Sequence, residues 1–235
     1  WRNNTGVSYP YSNDFFSFVN SVAGSGFFYY TYNVKVSGIS PNTPWKDLTK
    51  NDYDLTLANG PVFNSGNLGY FDFDGTNDYG ANTSFSLSSI NTGATVSAWV
   101  NTDNPTNSGG VIVATDASNN SRFYIAVSAV NAGRYQLGLG ETFLVSNAFA
   151  SAATWEFVTL TANNGNYKFY VNGVLSETGT YTQSSNPLNE IYVGCQYTLA
   201  GFYKGRIAQV SLYSQELSEA EIQQNFNAMR GRYGI

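Results

Sequence analysis

The chain has 235 residues, a formal net charge of −5 at pH 7, 11 lysine and arginine residues, no histidine and one cysteine. The basic residues stand singly, so there is no basic stripe of the kind that neutralises nucleic-acid phosphates, and this excludes the usual nucleic-acid-binding surface. The longest apolar runs are far shorter than the roughly 20 residues of a membrane-spanning helix, so no membrane span is expected. Aromatic residues make up 16% and charged residues 11%, and polarity comes mainly from Asn, Ser, Thr and Gly, as in many secreted or surface-displayed β-proteins.

The first 44 residues differ from the rest of the chain. An Asn-, Ser- and Tyr-rich opening is followed by aromatic clusters at 15–18 and 27–32. One interpretation is that these residues add strands to the following domain. The alternative is that their aromatic side chains form an assembly interface, which is buried by strand addition to a neighbour or by docking on a larger particle. The predicted division is therefore an N-terminal aromatic segment, 1–44, and one main domain, 45–235. The start at Trp1, without a signal-peptide pattern, indicates a processed start or a fragment boundary.

From Trp45 onward the chain shows short alternating segments separated by turn signals. Asn59-Gly60, Asn164-Gly165 and Asn172-Gly173 provide the positive φ angles of tight hairpins. The predicted strands are 69–73, 79–82, 94–101, 110–115, 122–127, 134–139, 155–162, 167–172, 174–177, 190–195 and 205–213. Many short strands with one late helix predict an all-β, antiparallel sandwich.

The end of the chain joins an alternating strand, 205–213, to a well-capped helix. Ser218 and Glu221 have the spacing of a capping box, which satisfies backbone donors at a helix start. Apolar residues on one face of this short C-terminal helix predict packing against a sheet: Ile222, Phe226 and Met229.

Several segments, in a consistent order, resemble the laminin G-like, concanavalin A-like lectin/glucanase superfamily, in the form found in phage virion and bacterial surface proteins. The segments are Trp45-Lys46-Asp47-Leu48, 57–63, 71–79, 96–100, Trp155 leading into 169–173, 191–194 and the closing strand and helix. The resemblance implies a jelly-roll β-sandwich of two antiparallel sheets. In many relatives it also implies one calcium ion and a glycan or protein ligand at the loop rim.

Oxygen-bearing side chains cluster around a glycine turn and suit calcium, which takes about six to eight oxygen ligands. The candidate metal ligands are Asp72, Asp74, Asn77 and Asp78, with Asp116 and Asn119 in a second loop. The alternative is a plain turn whose Asp and Asn side chains bond their own backbone. Both interpretations stay open at this stage.

The residues needed for common catalytic mechanisms are not combined in this chain. Without histidine, a Ser-His-Asp triad and the usual histidine-bearing zinc sites are excluded. Retaining glycosidases need two carboxylates about 5 Å apart, and the isolated residues Glu141, Glu156, Glu177 and Glu190 show no such spacing. Cys195 lies in an alternating run and is predicted to be a small buried core residue. We therefore expect no enzymatic activity.

A glycan site would combine aromatic rings, which stack on the C–H faces of a sugar, with amide groups that bind its hydroxyls. The candidate ligand-binding residues are Tyr197, Phe202 and Tyr203 in one loop, Asn104 and Asn107 in another, and Tyr181. Trp99 and Trp155 are predicted to lie in the core.

Two hypotheses about function remain. The first is a non-catalytic surface module of a virion, a phage capsid decoration or tail-fibre protein that binds glycan or a host surface through its rim loops. The second is a purely structural virion or cell-surface assembly protein without a glycan ligand. A lone cysteine fits assembly in bacterial cytoplasm, so a virion surface is expected, with an extracellular or bacterial cell surface as the alternative. Further subunits, as a homo-oligomer or a larger particle, are the expected protein partners.

Overall fold

The computed structural model describes residues 26–29, 44–106, 109–118 and 120–235. The strands are β1 Gly26–Tyr29, β2 Thr56–Ala58, β3 Val62–Asn64, β4 Tyr70–Asp74, β5 Tyr79–Asn82, β6 Ala94–Thr102, β7 Gly109–Thr115, β8 Arg122–Ser128, β9 Arg134–Gly140, β10 Thr142–Phe149, β11 Trp155–Asn163, β12 Asn166–Val171, β13 Val174–Thr180, β14 Glu190–Val193 and β15 Lys204–Tyr213. The α-helix of the described residues is α1, Glu219–Met229, and a 3-10 turn, Arg230–Tyr233, follows it.

The strands form two antiparallel sheets. The first sheet has the order β13-β12-β11-β6-β15-β4-β3, and β1 also pairs with β15. The second sheet has the order β10-β9-β8-β7-β14-β5-β2. The chain crosses between the sheets several times, for example from β5 to β6 and from β14 to β15. The predicted antiparallel jelly-roll sandwich with one short C-terminal helix is confirmed.

The hydrophobic core lies between the two sheets because alternate residues of a strand point to opposite faces. Val96, Leu160 and Val210 of the first sheet belong to one buried cluster with Ile125 and Leu137 of the second. The other faces of the same strands point away from this core. What covers those outer faces decides which surface of the sandwich remains accessible.

Helix α1 covers part of the outer face of the first sheet. Its capping box is formed, since the Glu221 amide donates to Ser218 Oγ (3.3 Å) and the Ser218 amide donates to Glu221 Oε2 (2.7 Å). Its apolar stripe is buried against Trp99, Trp155 and Phe157, as the sequence predicted. The ring of Trp99 stacks on Tyr233, with centroids 4.2 Å apart.

All three predicted Asn-Gly turns have the expected positive φ angles, and two of them connect hairpins. Asn164-Gly165 and Asn172-Gly173 have positive φ and connect the hairpins β11–β12 and β12–β13. Asn59-Gly60 also has positive φ, but it joins β2 to β3, which lie in different sheets, so it is not a hairpin. Strand β10 was not predicted, because Gly140-Glu141 carries no Asn-Gly signal and Phe143, Leu144 and Val145 do not alternate with polar residues.

Part of the N-terminal segment joins the first sheet. Strand β1 pairs with Val210–Tyr213 of β15, on the edge where β4 pairs with Lys204–Ile207. The rest of the predicted segment 1–44 lies outside the described residues, except residue 44. The division at residues 44 and 45 therefore stays a prediction.

Replacing Trp99 by alanine tests the packing of α1 on the first sheet. Trp99→Ala is expected to lower the free energy of unfolding by about 3–5 kcal/mol, because a fully buried ring that contacts Phe157, Phe226 and Tyr233 is removed. Urea unfolding measures the loss. The control Val130→Ala, at a side chain 91% exposed, should change stability by less than about 0.5 kcal/mol. Similar losses in the two variants would contradict the packing described here.

Candidate functional site

The outer face of the second sheet carries a cluster of aromatic side chains around an arginine. On β8, Phe123 and Ile125 point into the core, so Arg122 and Tyr124 point outward. Tyr124 packs over Gly138 of β9, where an added Cβ would lie 2.1 Å from a Tyr124 ring carbon. A glycine at this position therefore makes room for the ring.

Phe143 of β10 completes one side of this cluster. It pairs in register with Gly138, and its ring centroid lies 6.2 Å from that of Tyr124. Its side chain is 48% exposed. The arginine-aromatic face is defined here as Arg122, Tyr124, Phe143, Tyr192 and Tyr197.

The guanidinium of Arg122 contacts two aromatic rings of this face. Its guanidinium carbon is 4.4 Å from the centroid of Phe143 and 4.9 Å from that of Tyr197. Its Nε is buried and has no hydrogen-bond partner among the described residues. Cation–π attraction to the two rings therefore holds the guanidinium, and no carboxylate of the described residues forms an ion pair with it.

Two glycines position the loop that carries Tyr197. A Cβ added to Gly110 would lie 2.1 Å from the carbonyl oxygen of Cys195. A Cβ added to Gly109 would lie 2.3 Å from the Cα of Tyr203. The absence of side chains at 109 and 110 thus lets the loop after β14 pack closely on the sheet. Tyr197 and Phe202 of this loop pack against the buried part of the outer cluster.

Tyr192 and Glu190 form a pair on β14. The Tyr192 hydroxyl donates to Glu190 Oε2 over 2.9 Å. Burial, and secondarily the hydrogen bond to Glu190, raise the pKa of Tyr192. The hydroxyl is therefore held protonated as a donor to the carboxylate.

A second arginine lies at the other end of the outer face of the second sheet. Arg134 of β9 lies over the ring of Phe149, with its guanidinium carbon 5.0 Å from the centroid. The register pairs Arg122 with Gly140 and Ser128 with Arg134, so the two arginines lie about 20 Å apart along the strands. Arg134 therefore has a similar environment without the second ring.

The predicted ligand-binding residues have different locations. Tyr197 and Phe202 are partly exposed at the outer cluster. Tyr203 is 1% exposed and its hydroxyl bonds Thr102 Oγ1 over 2.9 Å, so it offers no ring face to a sugar, contrary to the prediction. Tyr181 is likewise buried and bonds the Ile90 carbonyl.

The two predicted asparagines belong to the loop after β6. Asn104 is exposed, and its Oδ1 accepts from the Thr106 amide over 3.0 Å. This bond stabilises the turn at Asn104, and the side-chain amide nitrogen of Asn104 takes no part in it. Asn107 lies outside the described residues.

The first predicted calcium turn is held by its own hydrogen bonds. Asp74 Oδ1 accepts from the amides of Thr76 (2.7 Å) and Asn77 (3.3 Å), and these bonds hold the pKa of Asp74 below its usual value, with the Thr76 amide the largest cause. Asp78 Oδ2 accepts from the Asp74 amide over 3.0 Å. Asp72 pairs with Arg206 over 3.1 Å. These contacts match the plain-turn interpretation.

The second predicted calcium loop does not meet the first. Asp116 Oδ1 accepts from the amides of Asn120 and Ser121, and its Oδ2 accepts from Asn186. The register through β5, β14 and β7 places Asp116 and Asp78 about six residues apart along the strands, or roughly 20 Å. The described candidates of the two loops therefore do not form one site. Asn119 lies outside the described residues.

The residues present fit a calcium ion incompletely. Among the described residues, no group of three or more carboxylate, cysteine or histidine side chains is arranged to hold a metal ion. Calcium takes about six to eight oxygens, and in the first turn one carboxylate oxygen of each of Asp72, Asp74 and Asp78 is already bonded within the protein. Calcium binding at Asp72, Asp74, Asn77 and Asp78 stays a prediction.

Sequence reasoning missed Arg122, Tyr124 and Phe143. The alternation of the predicted strand 122–127 was sufficient to place Arg122 and Tyr124 on the same face. Phe143 had no comparable signal, because β10 was not predicted. Its proximity to Arg122 depends on the pairing of β10 with β9 and of β9 with β8.

The fold is a concanavalin A-like β-sandwich. The chain matches the family model described as the concanavalin A-like lectin/glucanases superfamily (laminin G type) over residues 74–223. Because this match covers well over half of the chain, the protein belongs to that family. A search of curated proteins found no match. None of the helices in the described part of the chain has both the length and the apolar character to cross a membrane.

Solved structures with low sequence identity share the fold. The ligand-binding domain of botulinum neurotoxin serotype D, in complex with N-acetylneuraminic acid, superimposes with a TM-score of 0.66 at 17% identity, covering 87% of this chain and 50% of that one. The binding domain of Paraclostridial Mosquitocidal Protein 1 gives 0.60 at 16%, covering 81% and 51%. Trypanosoma rangeli sialidase, in complex with the inhibitor DANA, gives 0.62 at 15%, covering 88% and 33%. The chain thus spans about half the length of the toxin domains.

Replacing Asp74 distinguishes a plain turn from a metal site. Asp74→Ala is expected to lower the free energy of unfolding by about 1 kcal/mol, because the Thr76 and Asn77 amides lose their acceptor. Thermal unfolding in calcium and in EDTA measures both effects. Equal losses in the two conditions identify a plain turn. A calcium-dependent rise in the melting temperature that the wild type shows and the variant lacks would instead support a bound ion.

Proposed function

We propose that this domain is a non-catalytic carbohydrate-binding module and that the arginine-aromatic face is its binding surface. The observation that carries the proposal is Arg122, whose guanidinium contacts the rings of Phe143 and Tyr197 on the outer face of the second sheet, where Phe143 is 48% exposed. Aromatic rings stack on the C–H faces of sugars, and a guanidinium donates hydrogen bonds to sugar oxygens. The ligand-binding surface is thus a sheet face bordered by one loop, which extends the predicted rim site.

The comparisons support a sugar as the class of ligand. The family is described as lectins and glucanases, and one structural relative is a ligand-binding domain in complex with N-acetylneuraminic acid. At 17% and 15% sequence identity, the similarity to these structures shows a shared fold and does not locate a binding site. The choice of surface therefore depends on the contacts of Arg122, Phe143 and Tyr197 in this chain.

The state of the candidate catalytic groups supports binding without catalysis. Glu156 is 5% exposed and accepts hydrogen bonds from Tyr135 and from Ser151. Burial raises the pKa of the Cys195 thiol to about 12, so the thiol stays protonated and is a poor nucleophile. Some sialidases use a tyrosine nucleophile, but Tyr192 is buried and its pKa is raised, which opposes activation.

Display on a virion surface, as a capsid decoration or tail-fibre protein, is part of this proposal, with an extracellular or bacterial cell surface as the alternative. The Asn-, Ser- and Thr-rich composition and the single cysteine support it. A purely structural assembly role is the second candidate. Strand β1 pairs with β15 of the same chain, which matches the interpretation that the N-terminal segment adds strands to the domain, so the assembly role rests on the sequence pattern alone.

Glycan binding is tested with two ring variants and a matched control. Tyr197→Ala and Phe143→Ala are each expected to weaken glycan binding roughly 3- to 10-fold, as the loss of an aromatic stacking contact does. Phe149→Ala is the control, because Phe149 is 52% exposed and also contacts an arginine, but lies outside the arginine-aromatic face. A glycan array, followed by titration of the best ligand, measures affinity. Absence of binding at millimolar glycan would contradict the proposed function.

The assembly role is tested by deleting residues 1–44. If the N-terminal segment holds an oligomer together, the truncated chain is expected to be a folded monomer. Size-exclusion chromatography with light scattering measures the mass, and circular dichroism checks that the sandwich remains folded after the loss of β1. An oligomeric state that does not change on deletion would count against this role.

A further inference from the structure

We infer that the sugar recognised by the arginine-aromatic face carries a carboxylate, and that Arg122 is the residue that binds it. This inference rests on the proposed function and adds the chemical class of the ligand. It depends on the contacts of Arg122 and its neighbours. Other acidic sugars, such as sulfated ones, form a separate arm of the test.

Arg122 differs from other arginines of the described residues in what its guanidinium contacts. Arg206 pairs with Asp72 over 3.1 Å and lies 3.8 Å from an oxygen of Asp103. Arg232 donates to the backbone carbonyls of Asn67 and Gly69. Arg122 is half-buried, yet its Nε has no hydrogen-bond partner and its contacts are two aromatic rings. Its positive charge is therefore not neutralised within the described structure.

A cation that contacts two rings and no carboxylate is well suited to an anionic ligand. The rings of Phe143 and Tyr197 displace water next to the guanidinium, so electrostatic attraction there is stronger than in bulk water. With Nε buried, the two terminal nitrogens form the edge that a ligand meets. A planar carboxylate accepts two parallel hydrogen bonds from such an edge, which a sugar hydroxyl does not.

Among the described residues, no carboxylate forms an ion pair with Arg122. Glu190 lies two strands from Arg122, about 10 Å in the sheet, because both residues pair with Thr115. Its carboxylate accepts a hydrogen bond from the Tyr192 hydroxyl. The chain has a net charge of −5, so overall charge opposes the binding of acids. Preference for an acidic sugar must then come from a local cation.

The experiment compares three oligosaccharides that differ only in their terminal residue, which is glucuronic acid, glucose or a sulfated glucose. The full chain is titrated with each by calorimetry, as wild type, Arg122→Gln, Arg122→Lys and Arg134→Gln. Arg134 is the matched control, since it is also stacked on a phenylalanine but lies outside the arginine-aromatic face. Wild type is expected to bind the glucuronic acid form about 10- to 100-fold more tightly, the range for a charge-assisted hydrogen-bonded pair.

Each variant has a defined expected result. Arg122→Gln is expected to remove the preference for the carboxylate while retaining the weaker binding of the glucose form. Arg122→Lys should restore only part of it, because an ammonium lacks the planar pair of donors. Arg134→Gln should bind as the wild type does. Thermal unfolding of each variant confirms that the fold is intact.

The outcomes separate failure of the inference from failure of the proposed function. Three results would overturn the inference but not carbohydrate binding itself. They are equal binding of the glucuronic acid and glucose forms by the wild type, a preference for the carboxylate that survives in Arg122→Gln, and loss of that preference in Arg134→Gln. Preference for a sulfated form over the glucuronic acid form would also overturn it. Absence of any glycan binding, on these probes and on the array, would overturn the proposed function and this inference with it.

Discussion

Alternation of side chains across the strands is the constraint on which the rest of this structure depends. Each strand of the sandwich buries one face against the opposite sheet, as Ile125 and Val210 do, and its other face must be covered or remain accessible. The first sheet uses α1 and the stacked ring of Trp99 to cover part of its outer face. Over the second sheet a loop covers only part of the face, and Phe143 is left 48% exposed.

The accessible face is shaped by glycines as much as by the side chains it displays. Gly138 leaves room for the Tyr124 ring, and Gly109 and Gly110 let the loop after β14 approach the sheet. That approach brings Tyr197 within 4.9 Å of the Arg122 guanidinium. The result is a cation held by stacking, in a place where hydrogen-bonding capacity remains for a ligand. The proposed binding surface is thus a sheet face bordered by one loop.

The hydrogen bonds of the acidic turns illustrate how one sequence pattern permits two interpretations. Asp74 and Asp78 have the residue types and spacing of a calcium loop, but each also accepts from backbone amides of the same turn. Asp116 does the same in its own loop. Short polar side chains next to glycine stabilise turns for local reasons, so their clustering alone says little about whether an ion is shared between loops.

The sequence by itself determined the elements whose signals are local: the hairpin turns at Asn164-Gly165 and Asn172-Gly173, the capping box at Ser218 and most strands. These depend on backbone φ preferences and on residues a few positions apart, and family resemblance supplied the order in which they pack. Only the tertiary structure decided the candidate site. Arg122, Phe143 and Tyr197 lie on β8, on the unpredicted β10 and in the loop after β14, and their proximity follows from strand pairing and from close contacts at glycines. Burial of Tyr203 was decided in the same way, because a tyrosine next to a loop looks alike in the sequence whether its ring faces solvent or the core.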